Sequence, residues 1–214
     1  FYEKFESTPT GTSTNITLTI CWPYINTVES TSSAYGYVST TASYNTTGSR
    51  GYYTYRSSTA SAVGDLMLVS PRTNNLGNGT KQLRFRAKKS TASYVPKFEI
   101  YTLDGTTATA NKTLVQEVIL STDYEYIVYL PNTTDDFFAF SFDKGGTTAS
   151  YVYLDDVYYE DAPSCIPVTS ITIDEVLKHD ATLSWTPTLT TSNATYNWEL
   201  RTSGDPGTAT GLVQ

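Results

Sequence analysis

Apolar and polar residues alternate with a period of two through the middle of the chain, the spacing that sends successive side chains to opposite faces of a strand. The clearest stretch sets Leu83, Phe85 and Ala87 on one face and Gln82, Arg84, Arg86 and Lys88 on the other. That predicts a strand with one buried and one solvated side. Similar runs predict strands over Lys97 to Leu103, Tyr124 to Leu130, Phe137 to Phe142 and Tyr151 to Tyr158, separated by turn clusters at Asp104-Gly105, Pro131-Asn132 and Gly145-Gly146. Phe138, Phe140 and Phe142 are expected to point inward together, as are Val152, Leu154 and Val157. Short strands at this spacing predict an all-β protein, an antiparallel jelly-roll β-sandwich.

The pattern breaks at Ala162-Pro163-Ser164-Cys165-Ile166-Pro167, where two prolines bracket a cysteine and no periodicity crosses. A boundary there divides the chain into a first domain, 1–162, and a second, 163–214. Past it, Ile171 with Ile173, Leu183 with Trp185, and Tyr196, Trp198 and Leu200 predict three short strands. An Ig-like sandwich needs about seven. The second domain is therefore expected to be partial, and the chain to be a piece of something longer.

The composition supports strands over helices. There are 38 Thr, 22 Ser and 18 Tyr, whereas charged residues make up only 16%; Thr and Tyr suit a pleated, half-buried surface. No apolar run approaches the roughly 18 residues of a membrane-spanning helix, so no membrane insertion is expected. A net charge of −7 argues against general nucleic-acid affinity, which depends on neutralising phosphates.

Catalysis is not expected, and no catalytic residue is assigned. Two Cys and one His fall short of the four ligands of a structural zinc site. His179, in Leu177-Lys178-His179-Asp180, is the single imidazole available to a Ser-His-acid system and reads as a turn residue. No glycine-rich phosphate loop leads into a helix. Glu99, Glu117 and Glu125 are the imaginable carboxylates of a glycosidase pair, but each alternates within a strand and reads as surface.

Charge and aromatic rings are unevenly spread. Between Asp65 and Glu99 there is no acid, while Arg72, Lys81, Arg84, Arg86, Lys88, Lys89 and Lys97 all occur, a local field able to attract carboxylates or sulfates. In Gly51-Tyr52-Tyr53-Thr54-Tyr55-Arg56, Tyr53 and Tyr55 share one face and Tyr52 and Arg56 the other; which is exposed stays open at this level. Tyr151 and Tyr153 lie opposite Val152 and Leu154. Sugar rings pack their C–H faces on aromatic side chains while Arg and Lys hydrogen-bond hydroxyls or acidic substituents. Tyr53, Tyr55, Arg56, Arg84, Arg86, Lys88, Tyr151 and Tyr153 are thus the candidate glycan-binding residues.

Phe5-Glu6, Cys21-Trp22, Leu68-Val69-Ser70-Pro71, Leu83-Arg84-Phe85-Arg86-Ala87, Tyr153-Leu154-Asp155-Asp156-Val157 and Pro163-Ser164-Cys165 follow one another in an order that resembles the MAM-like, cleaved-adhesin or choice-of-anchor jelly-roll modules of secreted Bacteroidota proteins. The tail resembles the first half of a fibronectin type III domain. The resemblance implies a structural Ca²⁺ near the meeting of the first and last strands, for which Glu6, Asp155 and Asp156 offer hard oxygen ligands and Gly48 a backbone carbonyl. Strand parity sends Asp155 and Asp156 to opposite faces, so at most one is expected to ligate from the strand itself. Cys21 and Cys165 suit an extracellular disulfide closing a loop of about 145 residues, which chain-entropy arguments put at about 4 to 5 kcal/mol, or else are two buried free thiols. The expected function is a non-catalytic extracellular or cell-surface carbohydrate-binding module whose partner is a polysaccharide or cell-surface glycan. The alternative is a structural or adhesive segment contacting other surface proteins, with no glycan recognition.

Overall fold

A computed structural model describes residues 1–28, 33–41, 47–61, 63–74, 76–90, 95–122, 124–164, 166, 168–178, 180–186 and 203. Its strands, in chain order, are β1 (Tyr2–Glu3), β2 (Tyr24–Asn26), β3 (Ala34–Ser39), β4 (Gly51–Arg56), β5 (Leu66–Val69), β6 (Lys81–Lys89), β7 (Lys97–Leu103), β8 (Lys112–Ile119), β9 (Tyr124–Tyr129), β10 (Phe137–Asp143), β11 (Ser150–Asp161), β12 (Thr169–Val176) and β13 (Ala181–Thr186). A 3₁₀ turn lies at Leu76–Asn78.

Two antiparallel sheets make the sandwich. One runs β3-β4-β11-β6-β9, with β1 added alongside β11; the other runs β2-β5-β10-β7-β8. Apart from the consecutive pairs β3–β4 and β7–β8, neighbours in both sheets are not consecutive in the chain, as a jelly roll requires. The alternation anticipated for β6, β10 and β11 places Leu83, Phe85, Ala87, Phe138, Phe140, Phe142, Val152, Leu154 and Val157 in one buried cluster. Phe140 is its hub, meeting Phe85 at 5.0 Å and 81° and Phe98 at 5.7 Å and 73°, the edge-to-face geometry aromatic rings favour.

Val157 shares the inner face with Val152 and Leu154 although simple parity puts it on the other side. The β11–β6 register slips between Asp155 and Tyr158, and Asp156 takes φ = 48°. This bulge inserts one extra residue and restores the inward phase. Aspartate tolerates the left-handed conformation better than a branched residue does.

β12 and β13 form a separate two-stranded antiparallel sheet, with Ile173 opposite Leu183. Ile171, Ile173, Leu183 and Trp185 are all exposed there; a lone hairpin of this size is marginal without something packed on its apolar side. Tyr196, Trp198 and Leu200, expected to form a further strand, lie outside the described residues, as do His179 and Cys165. No helix among the described residues is long and apolar enough to cross a membrane.

Candidate functional site

The outer face of the sheet containing β3, β4 and β11 is paved with tyrosine. Alternation along each strand puts two on that face: Tyr35 and Tyr37 from β3, Tyr53 and Tyr55 from β4, Tyr151 and Tyr153 from β11. Register aligns them in two rows across the strands. Tyr37 lies opposite Tyr53 and Tyr53 opposite Tyr153; Tyr35 lies opposite Tyr55 and Tyr55 opposite Tyr151. The ring centroids are 5.1 Å apart for Tyr35–Tyr55, 5.2 Å for Tyr37–Tyr53, 5.7 Å for Tyr53–Tyr151, 5.9 Å for Tyr53–Tyr153 and 6.4 Å for Tyr55–Tyr151. Such pairs each contribute roughly 0.5–1.5 kcal/mol beyond their buried area. Mutual packing leaves Tyr53 and Tyr153 only 7% and 5% exposed, whereas Tyr35, Tyr37, Tyr55 and Tyr151 remain half-buried. Four of the six were legible in the sequence. Tyr35 and Tyr37 were missed, although Ala34-Tyr35-Gly36-Tyr37-Val38 already alternates small or apolar residues with phenols.

The inner face explains Arg56. Tyr52, Thr54 and Arg56 turn inward and are 1%, 1% and 3% exposed. Arg56 donates to the carbonyls of Gly64 at 2.7 Å and Ser61 at 3.4 Å. Burial pulls its guanidinium below the ordinary value, against the opposing charges of Asp143, Asp65 and Glu99. Assigning Arg56 to glycan binding is therefore corrected: it is an internal cation holding the loop after β4. Lys144, also buried, does the same from β10's end, donating to the carbonyls of Ser57 and Ala60 at 3.0 Å each.

The basic strand β6 divides into two parts. Lys88 continues the row Tyr37–Tyr53–Tyr153, with its Nζ 5.6 Å from the Tyr153 ring. Arg84 instead sits over the Tyr158 ring at 4.1 Å. It donates to Glu160 from Nε at 2.9 Å and from Nη2 at 3.0 Å, and to Glu125 at 3.3 Å. The Glu160 hydrogen bonds hold the guanidinium above its ordinary value and, reciprocally, hold the Glu160 carboxyl below its own. Arg86 is half-buried, in register with Asp155 on β11 and Glu125 on β9. The structure thus sets Lys88 beside the tyrosines and commits Arg84 to acids.

The three candidate carboxylates all hydrogen-bond to the segment 47–50, which holds the fourth candidate, Gly48. Thr47 donates from its N–H to Asp155 Oδ2 at 3.0 Å and from its hydroxyl to Asp156 Oδ2 at 2.7 Å. Both carboxylates therefore reach one residue, and the expectation that strand parity separates them is corrected by the bulge. Glu6 accepts from the Ser49 N–H at 2.8 Å, the Ser49 hydroxyl at 2.7 Å and the Arg50 N–H at 3.0 Å. Burial pushes Glu6 upward, but these hydrogen bonds together outweigh it and hold the carboxyl below its ordinary value. Gly48 has φ = 64°, and a Cβ there would come within 2.1 Å of Glu6 Oε1, so only glycine allows this close approach. Asp155 is fully buried and Asp156 is 6% exposed. Asp156 Oδ1 is buried with no hydrogen-bond partner and is ion-paired with Lys4 Nζ at 3.8 Å. Among the described residues no three His, Cys, Asp or Glu side chains already gather as a metal site.

The remaining candidates sort quickly. Cys21 is an exposed free thiol with φ = 69°, and its expected partner Cys165 lies outside the described residues. Glu99 and Glu117 face each other across β7 and β8 and share Lys97, at 3.3 and 2.5 Å. Glu125 is engaged by Arg84. All three read as ion-paired surface.

No family model matches the sequence, and no curated protein matches it either. Among solved structures, the K2 cleaved adhesin domain of Lys-gingipain aligns with a TM-score of 0.57 at 17% identity, over 75% of this chain and 98% of that one. The K1 and K3 domains of Lys-gingipain from Porphyromonas gingivalis align with TM-scores of 0.56 and 0.53, at 16% and 17% identity, each over 76% of this chain and 98% of the other. The two-sheet sandwich built from β1 to β11 thus has the cleaved-adhesin jelly-roll fold that the sequence motifs resemble.

Proposed function

We propose that this chain is a non-catalytic carbohydrate-binding and adhesion module of a secreted or cell-surface protein, and that it holds a polysaccharide against the tyrosine face of β3, β4 and β11. One observation carries the reading: six phenol rings from three strands lie in mutual contact on the outside of one sheet, beside Lys88, where sheet geometry does not require aromatic residues. Ring faces receive sugar C–H groups and phenol hydroxyls exchange hydrogen bonds with sugar hydroxyls, while a rigid, preassembled surface spares the ordering cost of binding. Because Arg84 is committed to Glu160 and Glu125 and Arg56 is internal, the face lacks the cationic rail that sulfated or uronic chains require. Neutral polysaccharide is the favoured ligand class.

Affinity electrophoresis in gels containing neutral, uronic or sulfated polysaccharides tests this. Retardation by a neutral polymer, abolished in Tyr55→Ala/Tyr151→Ala, is expected. No retardation in any gel, or full retardation of that variant, overturns it. A second reading, a protein-contacting segment without glycan recognition, is favoured by how far Tyr53 and Tyr153 are closed over by their neighbours; it predicts the first of those negative results.

We propose further that Ca²⁺ binds beside residues 47–50, held by Glu6, Asp155, Asp156 and the Gly48 carbonyl. The donors are hard oxygens suited to that ion, and the buried Asp156 Oδ1, which has no hydrogen-bond partner, is an acceptor a cation would satisfy. Its role would be structural, tying the segment before β4 to the first and last strands. Thermal unfolding in calcium and in chelator should then differ by several degrees, and Asp156→Asn should remove the difference. Coincident melts would count against the ion.

A further inference from the structure

We infer that the tyrosine face is also an oxidative cross-linking site, at which Tyr35 of β3 and Tyr55 of β4 couple to dityrosine when a one-electron oxidant is supplied. This rests on ring geometry alone and does not depend on the glycan reading. Tyr35 and Tyr55 stand directly opposite each other in the antiparallel register. Their centroids are 5.1 Å apart with 36° between planes, the shortest separation in the array. Both are half-buried, so an external oxidant can reach them. Tyr37 with Tyr53 is nearly as close at 5.2 Å, but its planes cross at 53° and Tyr53 is 7% exposed. Continuous contacts through Tyr37, Tyr53, Tyr151 and Tyr153 let a phenoxyl radical formed anywhere on the face migrate to the pair best placed to couple.

The chemistry balances with the oxidant named. Two equivalents of one-electron oxidant each remove an electron from one phenol, and each phenol releases its hydroxyl proton. The two phenoxyl radicals join through ring carbons ortho to oxygen. The two protons on the joined ring carbons move to the two oxygens, restoring both phenols, so the protein sheds two hydrogen atoms and gains one C–C bond. That bond would staple the edge strand β3 to β4.

The test is photo-oxidation of the whole 214-residue chain with a ruthenium tris-bipyridyl complex and persulfate, at a dilution that suppresses coupling between molecules. Monomer lighter by two hydrogens, with dityrosine fluorescence and the tryptic peptides 5–50 and 51–56 joined, is expected. The product should fall to background in Tyr35→Phe and in Tyr55→Phe and persist in Tyr124→Phe, whose ring lies in a separate pair with Tyr126. Removing a hydroxyl is conservative, and if one variant fails to fold the other carries the same test. A product confined to Tyr124–Tyr126, one unchanged in Tyr35→Phe, or cross-linking solely between molecules overturns the assignment.

Discussion

The two halves of β11 present aromatic rings on the same outer face, yet they behave differently. Before the bulge, Tyr151 and Tyr153 pack against other tyrosines, and Tyr153 also lies near Lys88. After it, Tyr158 lies beneath the Arg84 guanidinium, whose donors are taken by Glu160 and Glu125. A ring capped by a cation that is itself hydrogen-bonded has its face and its polar neighbours satisfied within the protein. Tyr151, packed among phenols, stays half-buried, with ring surface left for an outside partner. The contrast shows that a residue's type does not decide whether it binds; what matters is whether the fold has already spent its interactions.

The bulge dividing these halves offers the largest effect. Asp155 is fully buried, accepts the N–H groups of Thr47 and Asp156, and lies in register with Arg86. Asp155→Ala leaves two backbone N–H donors without their acceptor, a change that costs about 1–3 kcal/mol for each. The urea midpoint should fall accordingly and glycan retention should weaken with it. A loss below about 1 kcal/mol, within the range of an ordinary surface change, would mean that the bulge is held by other contacts.

The next effect separates binding from stability. Tyr55→Ala deletes a half-buried ring that contacts Tyr35 and Tyr151. Retention on neutral polysaccharide should weaken by about 2 kcal/mol, roughly 30-fold, while stability drops by only about 1 kcal/mol. Arg84→Ala on the far side of the bulge should give the reverse pattern. Losing the ion pairs and the stacking on Tyr158 costs about 1 kcal/mol of stability, and retention on the neutral polymer should stay unchanged. If Arg84→Ala abolishes retention, the ligand surface extends past the bulge and the two halves are not distinct.

What could be read from the sequence follows from which forces act locally. The inner faces of β6, β10 and β11 were legible because Leu83, Phe85, Phe138, Phe140, Val152 and Leu154 announce themselves by parity alone. Tyr53 and Tyr55 were correctly set opposite Arg56, but the sequence could not say which side met solvent. The carbonyls that receive Arg56 belong to Ser61 and Gly64, and a buried cation becomes plausible only once that loop is folded over it. The pairing of Arg84 with Glu160 spans 76 residues and depends on β6 and β11 being neighbours. The meeting of Asp155 with Asp156 depends on one extra residue in a strand, a feature alternation erases because it assumes the period never slips.

The smallest effect tests the ion pair by its sign in pH. Glu160 is held below the usual 4.5 chiefly by hydrogen bonding to Arg84. A carboxyl whose folded value is depressed adds stability that is fully present above the unfolded value and is lost as pH falls through the folded one. Stability curves of the natural protein and Arg84→Gln should therefore be separated at neutral pH and converge in acid, beginning below pH 4.5. High salt should narrow the neutral-pH gap only partly, since Glu160 is half-buried and such pairs are screened less than exposed ones. A gap of constant width from neutral to strongly acidic pH would place the stabilisation in the stacking of Arg84 on Tyr158 and not in the carboxylate. The far side of the bulge would then be held by the same ring chemistry as the near side.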